Sequence, residues 1–97
     1  MSSVNAFKPA NTLTFETVQS DLMRFRLYVK ANQSFSLAVD LSHVILCDSA
    51  GLAFLVEAKR LSLLSNQTLQ IIGMPSKVQM LAEFCGVLVL LMGTQED

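Results

Sequence analysis

The sequence predicts one α/β domain over residues 1–97, with a single mainly parallel or mixed sheet of four to five strands and three main helices. Three observations predict it. Short apolar runs closed by polar residues alternate with stretches whose apolar side chains step by three and four, the periods of strand and helix. The order reads strand, helix, strand, helix, strand, helix, strand, the pattern of right-handed crossovers between parallel strands. Hydrophobic residues make up 52% of the chain against 15% charged, enough to fill a core in so short a chain and leave apolar surface over.

Taken in order, residues 1–10 are polar, contain Pro9 and are expected to fray, as is the tail 92–97. A short strand is compatible with the sequence around Phe7. Leu13-Thr14-Phe15 reads as a strand end running into a helix, with Thr14 as N-cap and Glu16 in the first turn. Phe15, Val18, Leu22, Phe25 and Val29 then form one helical face, and Asn32 ends the helix. Residues 35–41 have no helical period and suit a strand covered on both faces. The second helix spans residues 49–64; its opening turns are apolar all round, so it should be buried on more than one side. Leu52, Phe54 and Val56 cannot all face one sheet, so this side holds either a second core layer or a contact for another molecule.

Residues 68–72 alternate and are rich in β-branched side chains, which makes a strand that Gly73 ends. Pro75 opens a third helix with Val78, Leu81, Ala82 and Cys85 on one face, and Gly86 stops it. Residues 87–91 read as a last strand.

Composition excludes several classes of function. The formal net charge is −1 with no basic stripe, which argues against nucleic acid. Cys47, Cys85 and one histidine make neither a disulfide framework nor a metal set, and both cysteines read as small buried hydrophobes. His43 reads as a solvated loop residue, and Glu57 with Arg60 as a surface pair. No Gly-x-x-x-x-Gly-Lys run and no nucleophile–base–orienter set is present, so neither an enzyme nor a cofactor is expected. The first residues carry no basic region followed by an apolar core, and no apolar run approaches the roughly 18 residues of a membrane span. A cytoplasmic protein is expected.

One stretch concentrates the chemistry. Val39-Asp40-Leu41-Ser42 closes a strand, and Asp48-Ser49-Ala50-Gly51-Leu52 opens a helix. Free backbone N–H groups and the helix dipole make that turn electropositive. Ser49 there can cap the helix, carry a phosphate or be covered by a partner; Asp48 can cap in its place.

These residues, with 69–73 and Pro75, resemble the STAS domain over roughly residues 11–91. That family includes the anti-anti-sigma factors. Leu13-Thr14-Phe15-Glu16-Thr17-Val18 and Asp48-Ser49-Ala50-Gly51-Leu52-Ala53 are most similar to its small subunits in bacterial phospholipid-transport ABC complexes. Pro9-Ala10-Asn11 departs from the family, which has a glycine there. The resemblance implies a non-enzymatic adaptor that docks on the ATPase subunit of an ABC transporter at the cytoplasmic face of the inner membrane. It implies contact through Asp48, Ser49, Ala50, Gly51, Leu52 and Val56. The alternative it implies is an anti-anti-sigma factor that meets an anti-sigma kinase, with Ser49 as phosphoacceptor.

Overall fold

The computed structural model describes residues 5–93; the expectations for residues 1–4 and 94–97 lie outside the described residues. The chain forms β1 (Thr12–Leu13), α1 (Val18–Ala31), β2 (Ser36–Asp40), β3 (Leu46–Cys47), α2 (Ser49–Leu64), β4 (Thr68–Ile72), α3 (Ser76–Phe84) and α4 (Leu88–Met92).

The strands are parallel, but they do not form the single four- to five-stranded sheet expected. Among the described residues β1 pairs only with β3 and β2 only with β4, with one further parallel bridge between Phe7 and Val39. The division has a local cause. Phe7 faces Val39, whereas Thr12 faces Leu46 and Leu13 faces Cys47, so the second line of strands carries two residues more than the first. The extra length is a turn in which the Val44 N–H donates to the Leu41 carbonyl at 3.0 Å. Opposite it stands Pro9, which has no N–H to donate. The ladder breaks there and resumes as β1–β3.

Residues 7–10, expected to fray, are held. The Phe7 N–H donates to the Ala38 carbonyl at 2.8 Å, and the Asp40 N–H donates to the Phe7 carbonyl at 2.9 Å. The Phe7 ring meets Phe25 edge-on at 5.3 Å between centroids, and the Arg24 guanidinium lies 4.8 Å from its centre. The Ala10 N–H donates to Asp21 Oδ2 at 3.2 Å, and Arg24 Nη1 donates to Asp21 Oδ1 at 2.6 Å. Asp21 is only 2% exposed. It lies off the apolar face of α1, and the folded N-terminal segment buries it.

α1 starts at Val18, one turn later than expected, and Thr14 is not its cap. The Thr17 and Val18 N–H groups both donate to the Thr14 carbonyl, and the Thr17 hydroxyl donates to the Thr12 carbonyl at 2.7 Å. This turn throws Phe15 out to 76% exposure, off the helical face it was expected to share. Phe25 is fully buried, and Val18, Leu22 and Val29 pack part-buried against the core.

β4 matches its expected span, β2 is one residue shorter than expected at each end, and the two run in register, Val39 opposite Ile71. Leu37, Val39, Leu69 and Ile71 turn into the core, against Leu55 and Ala58 of α2. α2 keeps its expected bounds. Its buried Ser62 hydroxyl donates to the Ala58 carbonyl at 2.9 Å, so no polar group is stranded there.

Two expectations fail at the C-terminal end. Cys85 is exposed rather than buried. Residues 87–91 are not a strand but lie largely within the short helix α4. The Val87 N–H donates to the Ala82 carbonyl and the Gly86 N–H to the Glu83 carbonyl, with Gly86 at φ +76°, which is a Schellman close to α3. That turn lays the next residues against α2 and α3 and buries Leu91, so packing overrides their β propensity.

Asp21→Ala should lower the unfolding free energy by about 3 kcal/mol, because it removes the buried partner of two hydrogen bonds, one of them charge-assisted. Arg24→Ala should cost at least as much, since it leaves the buried Asp21 carboxylate without its counter-charge. Urea titrations followed by circular dichroism check both.

Candidate partner-binding site

The site is built where β1 and β3 hand over to α1 and α2. Asp48 has an extended backbone, φ −110° and ψ −172°, and is the N-cap of α2. Its Oδ1 accepts the Gly51 N–H at 3.0 Å and its Oδ2 accepts the Phe15 N–H at 3.1 Å. One carboxylate thus closes the first turn of α2 and fastens the β1–α1 turn to it. Of the two residues able to cap, Asp48 does so, and Ser49 is left exposed as the first residue of the helix. The N–H groups of Phe15 and then Gly51 hold the Asp48 carboxyl below its ordinary pKa.

Gly51 is fixed by space. A Cβ there would stand 2.2 Å from the Leu13 carbonyl oxygen and 2.8 Å from Cys47 Sγ. Only a bare α-carbon lets the start of α2 press so closely on β1 and β3. The Cys47 thiol in that contact is pushed up to about 11 by burial, with the Asp48 charge adding to it, so it stays an unreactive thiol at neutral pH. Asp40 serves a separate turn. Its Oδ1 accepts the Ser42 N–H at 2.9 Å, which together with the Ser42 side chain lowers its pKa. Gly73, at φ +67°, lies against that turn, where a Cβ would meet Ser42 Cβ at 2.9 Å. The two aspartates therefore act as separate backbone caps.

The contact residues expected from sequence divide into two sets. Gly51 and Leu52 are buried, Leu52 to 4% exposure, and Val56 is part-buried against the core. Gly51 and Leu52 set the turn, and Val56 lies further along α2. Asp48 and Ala50 are part-buried and Ser49 is exposed. Phe54, a candidate for an outward contact, is core. Beside Ser49 the α1–α2 seam forms a groove of about 350 Å³, lined by Val18, Gln19, Leu22, Ala50, Ala53 and Glu57. Arg60 clasps Glu57 at 2.6 and 2.9 Å, the expected surface pair.

Two features escaped sequence reasoning. Phe15 was assigned to the interior, yet it stands exposed with its N–H held by Asp48. The alternative hydroxyl at Thr17, able to hold the turn before α1, was the signal available. His43 is not a solvated loop residue. Its Nε2 meets the Pro9 carbonyl, which can only accept, so Nε2 carries the proton; Nδ1 is buried with no partner among the described residues.

Among the described residues no three His, Cys, Asp or Glu side chains are grouped to hold a metal ion, and no helix is long and apolar enough to cross a membrane. The arrangement is that of a small α/β binding domain whose most elaborate turn presents a hydroxyl beside an apolar groove. The chain belongs to the STAS-domain family described as "Mlab, STAS domain", whose sequence profile matches residues 13–92. Domains of this family are typically non-enzymatic modules that act through protein–protein interaction, in adaptor or regulatory roles. No curated protein and no solved structure matches the chain.

Gly51→Ala should destabilise the fold by about 3 kcal/mol, the upper end of overpacking costs, because its near neighbour is backbone rather than a movable side chain. Chemical unfolding of the variant measures it. Asp48 also fixes the sign of an acid effect. A carboxyl held below its ordinary value of 3.8 stabilises the fold above that pH, and the stability is lost as pH falls through the folded pKa. Melting temperature should therefore drop on acidification below about pH 4, and less steeply in Asp48→Asn. Thermal melts across pH 2–6 read the difference.

Proposed function

We propose that this protein is a cytoplasmic adaptor subunit of an Mla-type phospholipid-transport ABC complex, which maintains outer-membrane lipid asymmetry. It binds the MlaF-like ATPase and is peripheral to the inner membrane through that partner. The observation that carries the reading is the division of labour at the α2 turn. Asp48 takes over the capping, so the Ser49 side chain is left exposed, with no hydrogen-bond partner among the described residues, next in sequence to Ala50, which lines the apolar α1–α2 groove. A hydroxyl spared from capping beside apolar side chains suits the edge of a protein interface, where a polar group meets its counterpart at the rim of a desolvated patch. Asp48, Ser49 and Ala50 supply the rim of that contact, with Phe15 and Ala53 beside them. Gly51 and Leu52 hold the turn in shape, and part-buried Val56 adds to the contact from further along α2. The family's adaptor and regulatory role supports this, as does the absence of a catalytic set in the sequence.

A second reading is an anti-anti-sigma factor, with Ser49 phosphorylated by an anti-sigma kinase. It is favoured by the exposure of Ser49 in the first turn of α2, where the dipole and free N–H groups suit a phosphate. The added charge and bulk would block a close interface while leaving the fold intact.

Co-purification of the tagged protein with the transporter ATPase separates the two readings. Ser49→Arg and Ala53→Arg should each weaken the complex by about tenfold or more while leaving the melting temperature within a few degrees. An undiminished complex would remove the α1–α2 face from the interface. Phosphate on Ser49 in cells, with no ATPase recovered, would favour the second reading.

A further inference from the structure

Among the described residues β4 pairs on one side only, with β2, and its other side has a chemistry that the α2 turn does not explain. The Thr68 N–H donates to the Phe35 carbonyl and the Ile72 carbonyl accepts the Leu41 N–H, so residues 68, 70 and 72 turn their backbone groups to β2. Leu69 and Ile71 therefore turn theirs away from the sheet. The Leu69 carbonyl accepts Lys59 Nζ at 2.9 Å. That leaves the Leu69 N–H and both backbone groups of Ile71 without a protein partner among the described residues. Residues two apart on one strand repeat about every 7 Å, a spacing that only another extended chain matches.

A groove of about 460 Å³ opens beside β4, lined by Leu69 and Ile71 of β4, by Leu91 and Met92 of α4, and at one end by Ser36 and Leu37 of β2. Lys59 stands in it, part-buried, with one of its three ammonium donors used and no carboxylate among the described residues beside it. Its pKa is lowered, and burial is the cause. A cation drawn out of water without a counter-charge is an unfinished ion pair. Lys59 reaches this edge from α2, and a charge held there guards against indiscriminate strand pairing, which selects for an incoming strand that answers it.

We propose that the free edge of β4 is a docking site for an extended acidic segment of a partner protein, added to the sheet as a further strand with its carboxylate on Lys59. The backbone groups of Leu69 and Ile71 give the pairing and Lys59 gives the selectivity. This surface is separate from the α1–α2 groove, so the proposal does not depend on the ATPase.

The probe is the capped hexapeptide Thr-Val-Glu-Val-Thr-Val, compared with its Glu-to-Gln analogue, on ¹⁵N-labelled full-length protein. The Glu peptide should slow amide exchange at Leu69 and Ile71 by about tenfold at saturation and bind about fivefold or more tighter than the Gln peptide. Lys59→Met should erase that preference, and Lys59→Arg, which keeps the charge, should retain it. Equal binding of the two peptides overturns the proposal, and so do shifts confined to the Ser49–Ala53 groove or no protection at either amide. Full protection of both amides without peptide also overturns it, since the edge is then already filled, by this chain or by a second copy. These readouts on the unaltered protein hold even if the Lys59→Met variant fails to fold.

Discussion

The carboxylate of Asp48 is the contact on which the working end of this domain depends. Its two oxygens accept N–H groups from residues 33 and three positions away in sequence, Phe15 and Gly51. A cap is ordinarily a local device that satisfies a helix's own free donors. Here the second oxygen makes the cap tertiary, because it ties the loop before α1 to the start of α2. The relative placement of the two helices, and so the groove between them, follows from one side chain. The freedom of Ser49 follows from it as well.

That arrangement tolerates little around it. Gly51 lets α2 come within contact of the Leu13 carbonyl, and Leu52 and Leu55 then reach the core under β2 and β4. The N-terminal segment completes the same core from the other side. Phe7 meets Phe25 edge-on, and Asp21 is buried under Ala10 and Arg24. Membership of the STAS family makes an interaction role the general expectation. The particular shape of the α2 turn says where such a contact is best supported.

Legibility in the sequence followed the range of the forces. α2 and β4 appear at their expected bounds because each rests on local signals: a capping aspartate before an apolar run, and strict alternation closed by a glycine. The helix start at Thr14 was misplaced because Thr14 and Thr17 both offer cap hydroxyls, and the Thr17–Thr12 bond that decides between them forms only once β1 is in place. The outward swing of Phe15 follows from that same turn. The candidate site was half legible. The Asp48–Leu52 turn was found, but the sequence could not tell which residues of it face outward, since a helix apolar all round gives no direction.

The sequence by itself determined the α/β class, the strand–helix rhythm through α3, the family, and Asp48-Ser49 as the start of α2. All of these are written in neighbouring residues. The tertiary structure alone decided that β1–β3 and β2–β4 are separate ladders, that residues 88–92 form a helix rather than a strand, that Asp21 is buried, and that His43 sets its ring on the Pro9 carbonyl. Those outcomes depend on which distant segment occupies the space beside each residue, and chain neighbours do not encode that.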